Sequence, residues 1–161
     1  MQMTRSVIHP VDAEGLDAVL PLIAGYQRFY GVSAPDDARN QAFWSRFTVP
    51  DGDRGVLLAA YDEDGGPVGF TTVYWTWESI AARDVAVLND LFVAEGVRGA
   101  GIARALMEAA FAAARERGLP AISWMTALDN RRAQRLYETI DGATRDVWFE
   151  YAVEMDAPGR T

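Results

Sequence analysis

Apolar residues recur at helical spacing through Leu16, Val19, Leu20 and Ile23. This predicts a helix that begins at Asp12 or Ala13 and stops near Tyr30, just before Gly31. A short strand over residues 6–9 precedes it. Residues 36–47 carry a weaker helical pattern, closed by the turn signature Pro50-Asp51-Gly52. The period then changes. Residues 55–61 are apolar and read as a buried strand, residues 62–66 as a hairpin turn, and residues 67–77 as the returning strand. A long strand over residues 85–93 follows, with Asn89 and Asp90 in its middle. After a glycine-containing turn at 95–101, Ile102, Leu106, Ala109, Ala110, Ala113 and Ala114 share one face of a helix over 102–117, which Gly118 and Pro120 close. A strand at 121–126, a helix at 130–140 and one or two strands within 143–155 complete the chain, with a loose tail expected after Asp156. The order β-α-α-β-β-β-α-β-α-β describes one mixed α/β domain, with its core from about residue 4 to 155 and no repeat or linker.

Length agrees with this, since 161 residues is close to the roughly 150 of a typical domain. Half the chain is apolar and 11% aromatic, enough for a packed core and contrary to disorder. All fifteen basic residues are Arg, set against 23 acids for a net charge of −8. That balance argues against nucleic acid and anionic membrane surfaces as partners, and favours cationic small molecules. Cysteine is absent, which removes disulfides, thiolate metal sites and a cysteine nucleophile. No metal site is expected. No stretch approaches the ~18 apolar residues of a membrane span, and residues 1–11 hold no signal-peptide core, so a soluble, cytoplasmic protein is expected.

The strongest local feature is Arg98-Gly99-Ala100-Gly101-Ile102-Ala103 between the long strand and the 102–117 helix. Glycines let backbone approach a ligand, and a helix start offers unpaired amides and a positive dipole end to an anion. Arg98 and Arg104 add charge. A dinucleotide fingerprint fails here: the third glycine position counted from Gly99 is Arg104, and the acidic position about 20 residues on is Ala121. A P-loop fails because the chain has no Lys. By itself the segment is equally a tight strand-to-helix turn.

Four segments in order resemble the GNAT superfamily of N-acetyltransferases. Arg98 to Ala103 is similar to its Arg/Gln-x-x-Gly-x-Gly/Ala acetyl-CoA loop. Leu88-Asn89-Asp90-Leu91-Phe92-Val93 resembles the central strand, especially the Leu-Glu-Asp-Leu-Phe-Val form of diamine-type members. Asn130, Ala133, Leu136 and Tyr137 resemble the Asn-x-x-Ala-x-x-Leu-Tyr helix. The helix ending Tyr26-Gln27-Arg28-Phe29-Tyr30-Gly31 is similar to that of polyamine- and histone-type members. The resemblance implies a mixed, mostly antiparallel central sheet flanked by helices and splayed at the acetyl-CoA site. It implies that main-chain groups of Leu91, Phe92 and Val93 pair with the pantetheine arm. Amides of Gly99, Ala100, Gly101, Ile102, Ala103 and Arg104 would hold the pyrophosphate, Arg98 would add charge, and Asn130 would bond the pantetheine or its neighbour. Tyr137 would act as general acid near the coenzyme sulfur.

The chemistry such an enzyme needs can be stated separately. A primary amine with a pKa near ~10.4 is neutral in only about one molecule in 2,500 at pH 7. The site must take a proton, stabilise an oxyanion, and return a proton to a thiolate of pKa about 8.5. A tyrosine of ordinary pKa near ~10 can make that last donation. From spacing alone, however, Tyr137 reads as a core aromatic beside Ala133, Leu136 and Ile140, and the resemblance tips it to catalysis. Diamine-type members carry Glu where this chain has Asn89, and an amide takes up no proton. Asp90 is the candidate base, directly or through water, with Glu78 a second; Asp90 also reads as a buried structural acceptor on a bulged strand.

Tyr74, Trp75 and Trp77 beside Glu78, and Tyr26, Phe29 and Tyr30, correspond to regions that border the acceptor cleft in the family. Aromatic faces with a carboxylate suit a cation. Tyr30, Trp75, Glu78 and Asn89 are therefore the candidate substrate contacts, although alternation sends Tyr74 and Trp75 to opposite faces. His9, the one histidine, reads as a strand end. Arg131, Arg132 and Arg135 read as a solvated helix face, with a coenzyme 3′-phosphate as a further partner. The expectation is an acetyl-CoA-dependent N-acetyltransferase acting by direct attack on a primary amine (polyamine-like, aminoglycoside-like or a basic peptide), with no covalent enzyme intermediate. The alternative is a non-catalytic acyl-CoA-binding module, which Asn89 favours. The apolar stretch 147–153 suits a homodimer contact. Between Val97 and Arg135, seven Arg face Glu108, Glu116 and Asp129, a net of +4, which leaves −12 elsewhere. An anionic coenzyme is thus expected on one segment and a cationic acceptor near the other.

Overall fold

The computed structural model describes residues 6–50 and 52–155. The predicted loose tail after Asp156 lies outside them. The chain divides into two compact units, one ending at Met125 and one beginning at Thr126.

The first unit is built on a five-stranded sheet in the order β1-β2-β3-β4-β5. Its strands are β1 (Val7–Pro10), β2 (Gly55–Tyr61), β3 (Pro67–Glu78), β4 (Arg83–Val93) and β5 (Ile122–Ser123). The first four pair antiparallel and β5 joins β4 in parallel, so the sheet is mixed and mostly antiparallel, as expected. Helices α1 (Leu16–Phe29) and α2 (Asp37–Trp44) cover one face; α3 (Ile102–Glu116) covers the other. A 3-10 turn at Ser45–Phe47 extends α2.

The packing follows the apolar stripes. Leu16, Val19 and Ile23 of α1 are fully buried with Trp44, Phe47, Leu57 and Phe70. Across the sheet, Ile102 and Leu106 of α3 pack with Ala60, Val68 and Val93. Burying each such side chain stabilises the fold by roughly 1.5–3 kcal/mol. The Asp36 side chain caps α2 through the Arg39 amide at 2.9 Å. Two polar contacts fix α2 laterally. Gln27 and Asn40 exchange amide hydrogen bonds at 2.8 and 2.9 Å, and Trp44 Nε1 donates to Thr72 Oγ1 at 3.2 Å.

Three boundaries differ from expectation. The first helix starts at Leu16, because the Asp12 carboxylate accepts the Gly15 amide at 2.7 Å and holds the preceding residues in turns. The strand expected over 121–126 pairs only at Ile122 and Ser123. No strand occurs in 143–155, where Val147, Trp148, Phe149, Tyr151, Val153 and Met155 are exposed. The second unit contains one short helix, α4 (Arg131–Tyr137), capped by the Asn130 side chain on the Ala133 amide at 3.2 Å.

Candidate active site

The site begins with an irregularity in β4. Thr72 pairs with Asp90 but Val73 pairs with Leu88, so Asn89 is an extra residue, a β-bulge in the middle of the sheet. The bulge lets adjacent side chains act together on the face covered by α1 and α2. Asn89 Nδ2 donates to the Tyr74 hydroxyl at 3.0 Å and to Asp90 Oδ1 at 3.1 Å. Thr71 Oγ1 donates to the Asp90 carbonyl at 2.7 Å and pins the backbone behind the carboxylate.

Asp90 is only 4% exposed, and its Oδ2 is buried without a hydrogen bond. Buried polar groups are nearly always paired, so an orphaned carboxylate oxygen marks a place where a ligand donor belongs. Phenols surround it. Tyr26 packs edge-on against Phe70 and Phe92. Burial, then the neighbouring Asp90 charge and the hydrogen-bonding approach of the Asp90 side chain, raises the Tyr26 pKa well above its ordinary value. Burial and the Asp90 charge push Tyr74 up to about 12, against a lowering by Arg46. Both phenols are therefore neutral at physiological pH. Tyr30 meets Tyr26 at 5.0 Å and is 63% exposed at the rim.

The same strand presents a backbone edge. The Ala94 amide donates to the Val68 carbonyl, so by antiparallel alternation Phe92 bonds toward β3 while Leu91 and Val93 turn their N–H and C=O groups the other way. On that side β5 pairs only Ala86 and Val87. The sheet thus opens beyond Val87, and β4 offers Leu91 and Val93 as ladder positions for an extended arm. Arg98 Nε donates to the Val93 carbonyl at 3.0 Å, and its guanidinium lies 5.8 Å from the Phe92 ring and 6.0 Å from the Phe29 ring. Arg98 is thus first a fastener between the loop, β4 and α1.

Gly99 and Gly101 have φ of +92° and +82°, a region that side-chain-bearing residues rarely adopt. A Cβ at either would meet nothing within 4 Å, so backbone conformation and not crowding demands glycine there. Gly101 is the left-handed N-cap of α3, and the first amides of that helix, including Ile102 and Ala103, have no intrahelical acceptor. The Arg104 side chain pairs with Glu108 at 3.7 Å. The loop fits a pyrophosphate through its amides, and the β4 edge fits an amide-bearing arm.

Two expected substrate contacts stand apart. Trp75 faces α3, where the Arg117 guanidinium covers its ring at 5.1 Å. Glu78 pairs with Arg83 at 3.0 Å at the hairpin tip, about 20 Å along β3 from Thr72. Asn130 and Tyr137 belong to the second unit. There Asn130 Oδ1 is engaged as the α4 cap, and Tyr137 ends that helix, half-buried on one face with Ala133, Leu136 and Ile140. The expected residues that do assemble are Tyr30, Asn89 and Asp90, with Leu91 to Val93 and Arg98 to Arg104 beside them. Tyr26 and Tyr74, expected only among the aromatics of regions bordering the acceptor cleft, join this group. Arg46 carries no sequence signal.

A sequence model described as the Acetyltransferase (GNAT) family matches residues 20–142. The D-amino-acid N-acetyltransferase HPA3 of Saccharomyces cerevisiae is 31% identical over 146 residues, covering 91% of this chain and 90% of the yeast protein. A crystal structure of a probable acetyltransferase superposes with a TM-score of 0.79 at 28% identity, covering 94% of this chain and 99% of the other. Aminoglycoside N-acetyltransferase AAC(6')-Iy, solved in complex with CoA, shares the fold at a TM-score of 0.74 and 16% identity, covering 93% of this chain and 97% of its own. The bulged strand, the opened sheet and the glycine loop thus stand in a chain that belongs to the GNAT acetyltransferase family and is an enzyme of the N-acetyltransferase class.

Proposed function

We propose that the protein transfers an acetyl group from acetyl-CoA to a primary amine by direct attack in a ternary complex. The observation that carries this is the buried, unpartnered Asp90 Oδ2 beside the open Leu91–Val93 backbone edge. Relatives named for D-amino acids and for aminoglycosides keep the acceptor at the level of a primary amine. When bound, acetyl-CoA supplies an activated acyl carbonyl. Main-chain groups of Leu91 and Val93 orient its arm, and the Gly99–Arg104 amides hold its pyrophosphate. Asp90 receives the ammonium and takes up its proton, while the neutral phenols of Tyr26 and Tyr74 and the Asn89 amide shape the pocket around that carboxylate. The family resemblance alone assigns Tyr137 the return of a proton to the departing sulfur.

A single catalytic domain is part of the proposal, supported by the family match across both units. So are a cytoplasmic setting and a homodimer contact through the exposed apolar residues of 147–153. Among the described residues no helix is long and apolar enough to cross a membrane. The test is thiol release from acetyl-CoA with diamines, aminoglycosides, amino acids and basic peptides. Tight acetyl-CoA binding without turnover on any amine would overturn the reading. Tyr137→Phe is expected to lower turnover far more than coenzyme affinity; equal losses in both would assign Tyr137 to packing.

A further inference from the structure

Arg46 is solvent-exposed yet held in place. Its Nε donates to the Phe43 carbonyl at 3.2 Å, and its guanidinium lies 4.3 Å from the Phe43 ring and 5.7 Å from the Phe47 ring. These contacts use Nε and the flat face of the group. The two Nη nitrogens, the edge that grips a carboxylate in a fork, have no ion pair among the described residues. In a chain with 23 acids, that edge has been given no protein carboxylate.

Contacts lead from Arg46 to Asp90. Phe47 stacks on Tyr74 at 5.1 Å with 21° between the planes. The Tyr74 hydroxyl accepts from Asn89, which also donates to Asp90. Both charges act on that one hydroxyl, Asp90 raising its pKa and Arg46 lowering it. Two opposite charges, each with an unused edge, therefore lie at the two ends of a short contact chain around a half-buried phenol. Their complement is a small molecule that carries an ammonium and a carboxylate. A diamine would bring its second cation toward a guanidinium and be repelled.

We infer that the acceptor is a zwitterion of the amino-acid type, its ammonium received at Asp90 and its carboxylate held by the Arg46 fork. This rests on Asp90 as the amine-receiving group and narrows that reading to one substrate class. Arg46 is then the residue that sets specificity, and it acts on the acceptor without touching the reacting atoms.

The test uses the full chain and acetyl-CoA with matched acceptors: both enantiomers of alanine and of phenylalanine, their carboxyl-free counterparts ethylamine and phenethylamine, and 1,4-diaminobutane. The wild type is expected to favour the amino acids in kcat/KM. In Arg46→Gln the ratio of amino acid to matched amine should fall about 10- to 100-fold, mainly through KM, as loss of a charge-assisted contact predicts. Arg46→Lys, which keeps the charge but not the fork, should restore part of it. A packing role would lower both members of each pair together and leave the ratio intact, and that result overturns the inference. Wild-type preference for the carboxyl-free amines or the diamine overturns it too, while leaving Asp90 as the amine receptor. If no amine of any kind is acetylated, the catalytic reading beneath it fails as well.

Discussion

The orphaned oxygen of Asp90 is expensive to keep, because a buried carboxylate without its full set of donors costs free energy on folding. Asp90→Asn preserves shape and removes both the charge and the proton acceptor. It is expected to lower amine acetylation about 100-fold or more while the thermal midpoint holds or rises, measured by thiol release and by melting. A large fall in melting temperature with proportionate activity loss would make Asp90 a structural acceptor. The phenols give a second residue-scale readout. Tyr26 and Tyr74 are held neutral, by burial first and by Asp90 second. In a spectroscopic alkaline titration, these two are expected to ionise above the ordinary phenol range, Tyr74 near pH 12. Spacing along the chain does not assemble this cluster, and the family resemblance brings its members only to the same cleft. Tyr26, Tyr74 and Asp90 lie on three separate elements, and only packing brings them together.

At the scale of elements, α3 was legible because its apolar positions recur at helical spacing and its ends are marked by glycine. Leu106, fully buried on it, should cost about 2–5 kcal/mol of stability when replaced by Ala, as read from denaturant unfolding. Gly101→Ala should cost roughly 1–2 kcal/mol, since the N-cap φ of +82° is the left-handed region. Coenzyme affinity should fall with it. The last stretch of chain shows where pattern fails. Apolar residues alternate through 147–155, which predicts a strand, but a strand forms only against a neighbour's backbone. The described residues offer none there, and Phe149 and Tyr151 are exposed. Trp75 stands apart from the Asp90 cluster for a related reason. Alternation places it opposite Tyr74, and Arg117, the C-cap of α3, covers it.

For the whole molecule, the uneven charge implies that salt should weaken coenzyme binding. The segment from Val97 to Arg135 carries +4 and the remainder −12. Higher ionic strength is expected to raise KM for the anionic coenzyme more than for a zwitterionic acceptor, which has no net charge to steer. The raised tyrosines set the alkaline limit. A phenol whose pKa is higher folded than unfolded contributes stability that is complete below about pH 10 and is lost as pH climbs through the folded value. For Tyr74 that window closes near 12. Tyr74→Phe should therefore flatten the fall in melting temperature above pH 10. A fall as steep as that of the wild type would assign the alkaline limit to other groups.

The bulge in β4 has a consequence for deletions. Asp90 and Phe92 point to the α1 face from even-numbered positions, while Val87 and Val85, opposite Tyr74 and Thr76, reach the same face from odd-numbered ones. Asn89 is where the count changes phase. Removing any regularly paired residue of β4 would turn one half of the strand inside out. Removing Asn89 would instead join the two halves in register, with every other side chain still facing its own layer. The shortened protein should fold with a more regular sheet and lose the amide that links Tyr74 to Asp90. Within β4, Asn89 is thus the position the fold can do without.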